Sequence, residues 1–460
     1  MTLITELFWG PLEIIYLLLL FVVGLAITFL FIPPIMKYMR KKGNVGFDIH
    51  KSSRPEIPES GGLSIVVGLI VVSIISIILF PYFLNIILIF LLTILLAALI
   101  GYLDDVKKLR SRYKIALTIF TGIPIFLANY FEFITISSPN LPFLGKTRVT
   151  MLYPFIIPFI VAVFANTTNM MEGYNGEGSG TCLIAVCFLF VCSLILFSAE
   201  AIILTIMIIS VLIPFYFYNK YPSKVFPGDV GTLCIGTAIA CIALFGSLEV
   251  AVFCAFLMHI FNSFYIISSV RGFLESSKIR ESKADIIMLD DNRIKASYQK
   301  NAVLTLPRLI LAKGPLSEKE LVNNFYFISI ICGYFSIIAT LFIVWTQERI
   351  ELYYVILVIV IFIVPTTIFL YKFNRIRGII FLMIFLLIGG VIFLIIIDVY
   401  VMTLPFSDID LIIVNIPINI LITVMLLIPC LFLWYVITIK YFWYEINKMQ
   451  KKEFGALKQN

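Results

Sequence analysis

Long apolar runs alternate with short polar segments along this chain. About 20 apolar residues cross the hydrocarbon layer as a helix, and helices are expected because lipid offers backbone polar groups no partners. The pattern predicts thirteen spans, near 11–36, 62–82, 85–103, 115–132, 152–168, 180–198, 201–218, 231–246, 249–270, 325–345, 352–371, 379–403 and 411–439. Two of them, 115–132 and 231–246, are short or interrupted by Gly and Pro. The expected fold class is all-α, a polytopic transmembrane helical bundle.

Charge assigns the sides. With the N-terminus outside and connections alternating, the inside segments are 37–60, 104–114, 219–230, 271–324, 372–378 and 440–460, plus a loop near 170–179 that lacks basic residues. These segments hold 31 of the 34 Lys and Arg residues, leaving Lys146, Arg148 and Arg349 outside. Cytoplasmic loops collect basic residues, and one missed span would scramble the split, so it supports both count and orientation.

Composition narrows the class. The chain of 460 residues is 61% hydrophobic and 13% charged, with mean hydropathy +1.06. That excludes a soluble domain, a disulfide scaffold, a coiled coil and a disordered chain. The net charge of +7 follows from the sidedness and suits an anionic leaflet and anionic substrates, so no nucleic acid partner is expected. All eight cysteines sit in apolar runs without metal-ligand spacing and read as small buried residues. No basic region precedes the first apolar run, which is too long for a signal-peptide core and reads as a retained span.

The candidate chemistry lies in the inside loops. The first ends RPEIPESGG, where Glu59 and Ser60 lead into Gly61-Gly62 at a helix start. It reads either as a loop with an N-cap or as amides and Glu59 facing a polar ligand. In GYLDDVKKLRSRYK, Asp104 and Asp105 close a span, against the macrodipole and at a desolvation cost. A metal, proton or cation site explains them better than an ordinary helix boundary. In FANTTNMMEGYNGEGSG, Asn166 and Asn169 share a helix face, and Gly173, Gly176, Gly178 and Gly180 allow close backbone approach to a ligand. Asp229 in PGDVG stands at a helix start, where it reads by itself as an N-cap. Segment 271–324 carries ten basic residues together with Asp285, Asp290 and Asp291. Acidic and amide groups thus face the same water as Lys and Arg, which is equipment for a Mg²⁺-bound diphosphate.

IPESGG, GYLDDVKKLRSRYK, NTTNMMEGYNGEGSG and YPSKVFPGDVG, in that order, resemble the polyprenyl-phosphate N-acetylhexosamine-1-phosphate transferases. The resemblance runs over roughly residues 10–330 and is nearest to the eukaryotic and archaeal dolichyl-phosphate GlcNAc-1-phosphotransferases, which begin N-glycan assembly. It implies transfer of GlcNAc-1-phosphate from UDP-GlcNAc to a membrane polyprenyl phosphate, with release of UMP. It implies Asn169 and Asp229 as ligands of Mg²⁺, with Mn²⁺ a substitute. By the same resemblance Asp104 and Asp105 orient the acceptor phosphate and support the metal site, Lys114 contacts phosphate, and Asn175 lies near the uracil in a loop shaped by Gly173 and Gly176. Asn166 and Glu59 match further substrate-site residues.

The chain also departs from the family. Lys108 stands where the eukaryotic pattern has Asn. The His-rich bacterial motif is missing, since His50 and His259 are the only histidines, which argues against the peptidoglycan-precursor and enterobacterial branches. The eukaryotic Arg-His-Arg loop is missing too, and Lys278, Arg280 and Lys283 are the candidates to replace it. The family core has about ten spans, so the expected division is a transferase core at 1–345 and an additional bundle at 346–460. That bundle reads as a dimerisation, lipid or partner surface, or as structural elaboration. Usage rich in Ile, Phe and Lys tilts the membrane towards an archaeal cell membrane over an endoplasmic reticulum. A transporter or lipid flippase is the rival class. It would carry ionisable residues near midplane, whereas here they lie at the inner boundary, with Asp398 the exception. A non-enzymatic scaffold would need no such polar convergence.

Overall fold

The computed structural model describes residues 10–143, 145–146, 153–270, 284–401 and 418–457. The helices are α1 (Pro11–Lys42), α2 (Leu63–Leu79), α3 (Leu84–Lys107), α4 (Ser111–Phe120), α5 (Ile123–Tyr130), α6 (Tyr153–Met170), α7 (Glu177–Leu196), α8 (Ala199–Asn219) and α9 (Gly228–Gly246). There follow α10 (Glu249–Ala255), α11 (Leu257–Val270), α12 (Leu306–Leu311), α13 (Glu318–Thr346), α14 (Leu352–Lys372), α15 (Asn374–Val401) and α16 (Ile418–Leu457). Among the described residues seven helices are long and apolar enough to cross a membrane, or eight if α10 and α11, bent by 68°, make one span. The protein is therefore an integral membrane protein of helical architecture.

Within the described residues each of the thirteen predicted runs overlaps a helix or a helix pair, and 411–417 of the last run lie outside them. The run at 115–132 is split into α4 and α5 by Thr121-Gly122, and α2 is shorter than a full crossing. Small strands also appear where only loops were expected. β1 (Val45–Phe47) pairs antiparallel with β2 (Glu56–Pro58), with Val45 opposite Pro58. β3 (Asn140–Leu141) pairs with β4 (Gly145–Lys146). β5 (Ile286–Met288), β6 (Arg293–Ala296) and β7 (Leu316–Ser317) form one antiparallel sheet in that order. They lie in the connections, where water meets the backbone and a hairpin can satisfy it.

The core centres on α9. The run 231–246 looked interrupted as a span, yet every residue of it is buried. Its Gly, Ala, Cys and Thr side chains are small, which lets neighbouring backbones come close. A Cβ added at Gly101 of α3 would lie 2.5 Å from the Asp229 carbonyl oxygen and the Val230 Cα. One added at Gly236 would strike the carbonyl of Phe164 in α6. These two glycines seat α9 against α3 and α6 within about two turns of the residues that carry the chemistry. A second apolar cluster joins α11, α12 and α13 to Ile376 and Ile380 of α15 and to Trp434 and Phe442 of α16.

Candidate functional site

Three helix ends meet at the site: the last turn of α3 brings Asp104 and Asp105, the last turn of α6 brings Asn169, and the first turn of α9 brings Asp229. Lys114, in the first turn of α4, reaches between them. Its Nζ is 2.8 Å from Asp104 Oδ2, 2.6 Å from Asp229 Oδ2 and 3.1 Å from Asn169 Oδ1. Asn169 Nδ2 donates to Asp229 Oδ1 and, at 2.8 Å, to Thr232 Oγ1. Those donations turn the amide oxygen towards the lysine. Burial works against the Lys114 charge, but the Asp229 and Asp104 carboxylates outweigh it and hold its pKa above the usual value.

The adjacent aspartates do not act as a pair. Asp104 Oδ1 accepts the Leu109 amide at 2.7 Å, leaving Oδ2 to Lys114. Asp105 faces the other way. Its Oδ1 accepts the Asp229 amide at 2.7 Å, and its Oδ2 accepts the Val230 amide at 3.4 Å and the Ser60 hydroxyl at 2.6 Å. Asp105 thus satisfies the open amides at the start of α9 from another helix. This corrects one expectation. Asp229 is not the cap of α9, so its carboxylate is free for Lys114 and Asn169. Asp105 holds that helix start and so positions Asp229.

The start of α2 is a further correction. The Gly61 and Gly62 amides donate to the carbonyls of Phe226 and Pro227, both at 2.9 Å, so they are not open to a ligand. What that contact does is lock the 59–62 turn onto the residues before α9. Glu59 stays at the cleft, 3.8 Å from Lys108. Lys108 ends α3 in the left-handed region at φ 50°, a conformation Asn adopts more readily than Lys.

A cleft of about 350 Å³ opens beside this cluster. Glu59, Asp105, Asn169, Gly173, Asn175 and Asp229 of the predicted set line it. Asn166 does not. Its Nδ2 donates to Thr118 Oγ1 at 2.7 Å and to the Ala162 carbonyl at 2.8 Å, so it ties α6 to α4 one turn from Lys114. Gly176 is also outside the lining. At φ 77° it makes the turn into α7, where a Cβ would lie 2.8 Å from Lys220 Cα. Gly178 and Gly180 lie inside α7 and not in the loop. Glu177 closes that loop by accepting the Gly173 and Tyr174 amides at 3.0 and 3.1 Å. Lys278, Arg280 and Lys283 lie outside the described residues.

Sequence reasoning missed the far wall of the cleft. Asn175 donates its side-chain amide to Asp48 Oδ2 and its backbone amide to Glu318 Oε1, both at 2.9 Å. Lys51 lies 2.5 Å from Asp48 Oδ2. Burial alone would raise the Asp48 pKa, but Lys51 and Asn175 bring it below the ordinary value. His50 stacks on Tyr174 with ring centroids 4.4 Å apart, and burial pushes its pKa down to about 4. Glu172, also in the lining, has its pKa pushed up to about 8 by burial. No local signal marks Asp48 or Glu318, because their meaning depends on contacts from far along the chain.

Residues 87–247 match glycosyl transferase family 4. A Sulfolobus acidocaldarius protein, provisionally named UDP-N-acetylglucosamine–dolichyl-phosphate N-acetylglucosaminephosphotransferase, is 30% identical over 333 residues, covering 71% of this chain and 96% of that protein. The Dictyostelium discoideum protein of that name is 26% identical over 340 residues, covering 64% of this chain and 81% of its own. The phospho-N-acetylmuramoyl-pentapeptide-transferase of Staphylococcus epidermidis is 30% identical over 239 residues, covering 48% of this chain and 74% of its own. With nearly the whole archaeal relative matched, and with Asp104, Asp105, Asn169 and Asp229 all inside the matched region, this chain belongs to glycosyl transferase family 4.

Proposed function

We propose that this membrane transferase moves N-acetylglucosamine-1-phosphate from UDP-N-acetylglucosamine to a polyprenyl or dolichyl phosphate and releases UMP, the first step of lipid-linked oligosaccharide assembly. The observation that carries the reading is the meeting of Asp104, Lys114, Asn169 and Asp229 beside one cleft. The names of the archaeal and Dictyostelium relatives support the same donor and acceptor.

In the reaction, an oxygen of the acceptor phosphate bonds to the phosphorus that carries the sugar. The bond from that phosphorus to the bridging oxygen breaks, and that oxygen leaves on UMP. A phosphate monoester loses its second proton near pH about 6, so no strong base is needed. Positioning and charge neutralisation carry the catalysis.

The donor set fits Mg²⁺, a hard cation that takes one or two protein oxygens and lets phosphates and water complete its shell. Asp229 and Asn169 would hold it, with Mn²⁺ as a substitute, and the ion supplies neutralisation of the diphosphate charge. Lys114 contacts phosphate, Asp104 holds Lys114, and Asp105 positions Asp229 through the start of α9. Glu59, Gly173 and Asn175 line the donor side, and Lys278 and Arg280 are the basic residues assigned to the diphosphate and sugar. Residues 1–345 form the transferase core of about ten spans. Residues 346–460 add three spans as a dimerisation or lipid-contact surface. The N-terminus faces outside and the site the cytoplasm, in an archaeal cell membrane.

The test is a panel of UDP-sugars with purified protein in detergent, Mg²⁺ and polyprenyl phosphate. UDP-N-acetylglucosamine should yield UMP, and label in its sugar-bearing phosphate should appear in the lipid. Release of UDP in place of UMP would overturn the reaction type.

A further inference from the structure

Lys114 occupies the place where a cation is wanted. Its Nζ touches one oxygen each of Asp104, Asp229 and Asn169 at 2.8, 2.6 and 3.1 Å. Two of those three residues are the ones to which the proposed function assigns the divalent ion, and the inference rests on that reading. The lysine side chain is largely buried there, with 14% of its surface exposed. The Asn169 amide is turned towards the ammonium by its own donations to Asp229 and Thr232. The oxygens are thus already arranged around a positive charge.

An ammonium and a divalent ion cannot share this cradle. Mg²⁺ draws its oxygens in to about 2.0–2.1 Å, so the ion needs the volume that Nζ fills. Charge points the same way. Two carboxylates with one ammonium leave a net charge of −1, and with the ion alone they are neutral. Both cations together would leave an excess positive charge, with like charges in contact. Lys114 is held by α4 alone, on a flexible four-carbon stem, and has somewhere to go. The cleft beside it is where the diphosphate binds under the proposed function.

We propose that Lys114 and the divalent ion compete for the Asp104–Asn169–Asp229 cradle, so that the lysine fills it until ion and nucleotide arrive and is then expelled onto the diphosphate. Lys114 is thereby both a placeholder cation and a phosphate ligand. The exchange couples the two ligands. Without nucleotide the expelled ammonium loses two carboxylates and gains nothing, so the ion binds weakly. With nucleotide it gains phosphate oxygens, so the ion binds tightly. Such coupling is reciprocal in free energy.

The experiment measures Mn²⁺ binding directly, by electron paramagnetic resonance or calorimetry, on the full chain in detergent. The proteins are the unaltered chain, Lys114→Met, Lys114→Gln and Asp229→Asn, each with and without UDP. Lys114→Met should bind Mn²⁺ about tenfold more tightly than the unaltered chain when UDP is absent, although its turnover falls. UDP should tighten Mn²⁺ binding in the unaltered chain and do so far less in Lys114→Met. Lys114→Gln keeps a hydrogen-bond donor without the charge. It should follow Lys114→Met, and it serves in its place if Met at that buried position prevents folding. Equal or weaker Mn²⁺ binding by both lysine variants, with Asp229-dependent binding in the unaltered chain, overturns the competition and leaves the metal site standing. Mn²⁺ binding that Asp229→Asn does not weaken removes the metal site, and the competition with it.

Discussion

Asp105 and Asp229 are both carboxylates in one small cluster, yet their substitutions should read out differently. Asp229→Asn removes charge from the cradle but keeps Lys114 paired with Asp104. Turnover should fall at least about 100-fold, the scale of losing a preorganised electrostatic group, with the melting temperature little changed. Asp105→Ala strips the cap from α9, so it should cost about 1–2 kcal/mol of stability, read in a denaturation series. His50 gives a third readout. Burial lowers its folded pKa from 6.5 to about 4, so between those values the unfolded chain binds the proton and the folded chain does not. The contribution of His50 is therefore complete above pH 6.5 and is lost as pH falls towards 4, by up to about 3 kcal/mol. His50→Gln should flatten that slope in melting curves recorded from pH 7 to pH 4. Legibility divides the same way. Asp104 and Asn169 stood out as polar residues at membrane boundaries, whereas Asp229 by itself read as an N-cap and was marked only by the resemblance. The capping role of Asp105 did not stand out, because the amides it serves lie 124 and 125 residues away.

Among the elements, α9 is the one whose sequence misleads. Its Gly, Cys and Thr content weakens it as an isolated span, and that same content lets it sit at the centre of the bundle. Hydropathy reports preference for lipid, whereas α9 is packed against protein on every side. The bend between α10 and α11 was invisible for a related reason, since a kinked apolar run has the same composition as a straight one, whereas Gly122 and Pro124 had marked the break between α4 and α5. The small-residue contacts are open to test. Gly101→Ala would push a methyl group against the Asp229 carbonyl. It should cost about 1–3 kcal/mol as overpacking and lower turnover by displacing Asp229. Gly389→Ala, where nothing lies within 4 Å, is the matched control and should leave melting and turnover unchanged.

For the whole molecule, sidedness is the expectation that rests on charge alone and needs no contact to be stated. The packing supplies an independent argument for it. α13 begins at Glu318, whose carboxylate accepts the Asn175 amide at 2.9 Å, so its start is fixed beside the cleft. Its 29 residues rise about 43 Å at about 1.5 Å each, more than the roughly 30 Å hydrocarbon layer. If the helix crosses, its far end, followed by Arg349, is expected on the opposite face. Lys300 and Arg349 are both exposed and lie on the segments before and after this helix. In a background with Cys187 and Cys430 replaced by Ala, Lys300→Cys should react with a membrane-impermeant maleimide only in inside-out vesicles, and Arg349→Cys only in right-side-out vesicles. Labelling of both from one side would mean that α13 does not cross the bilayer and that the alternation of charge along the chain has another cause.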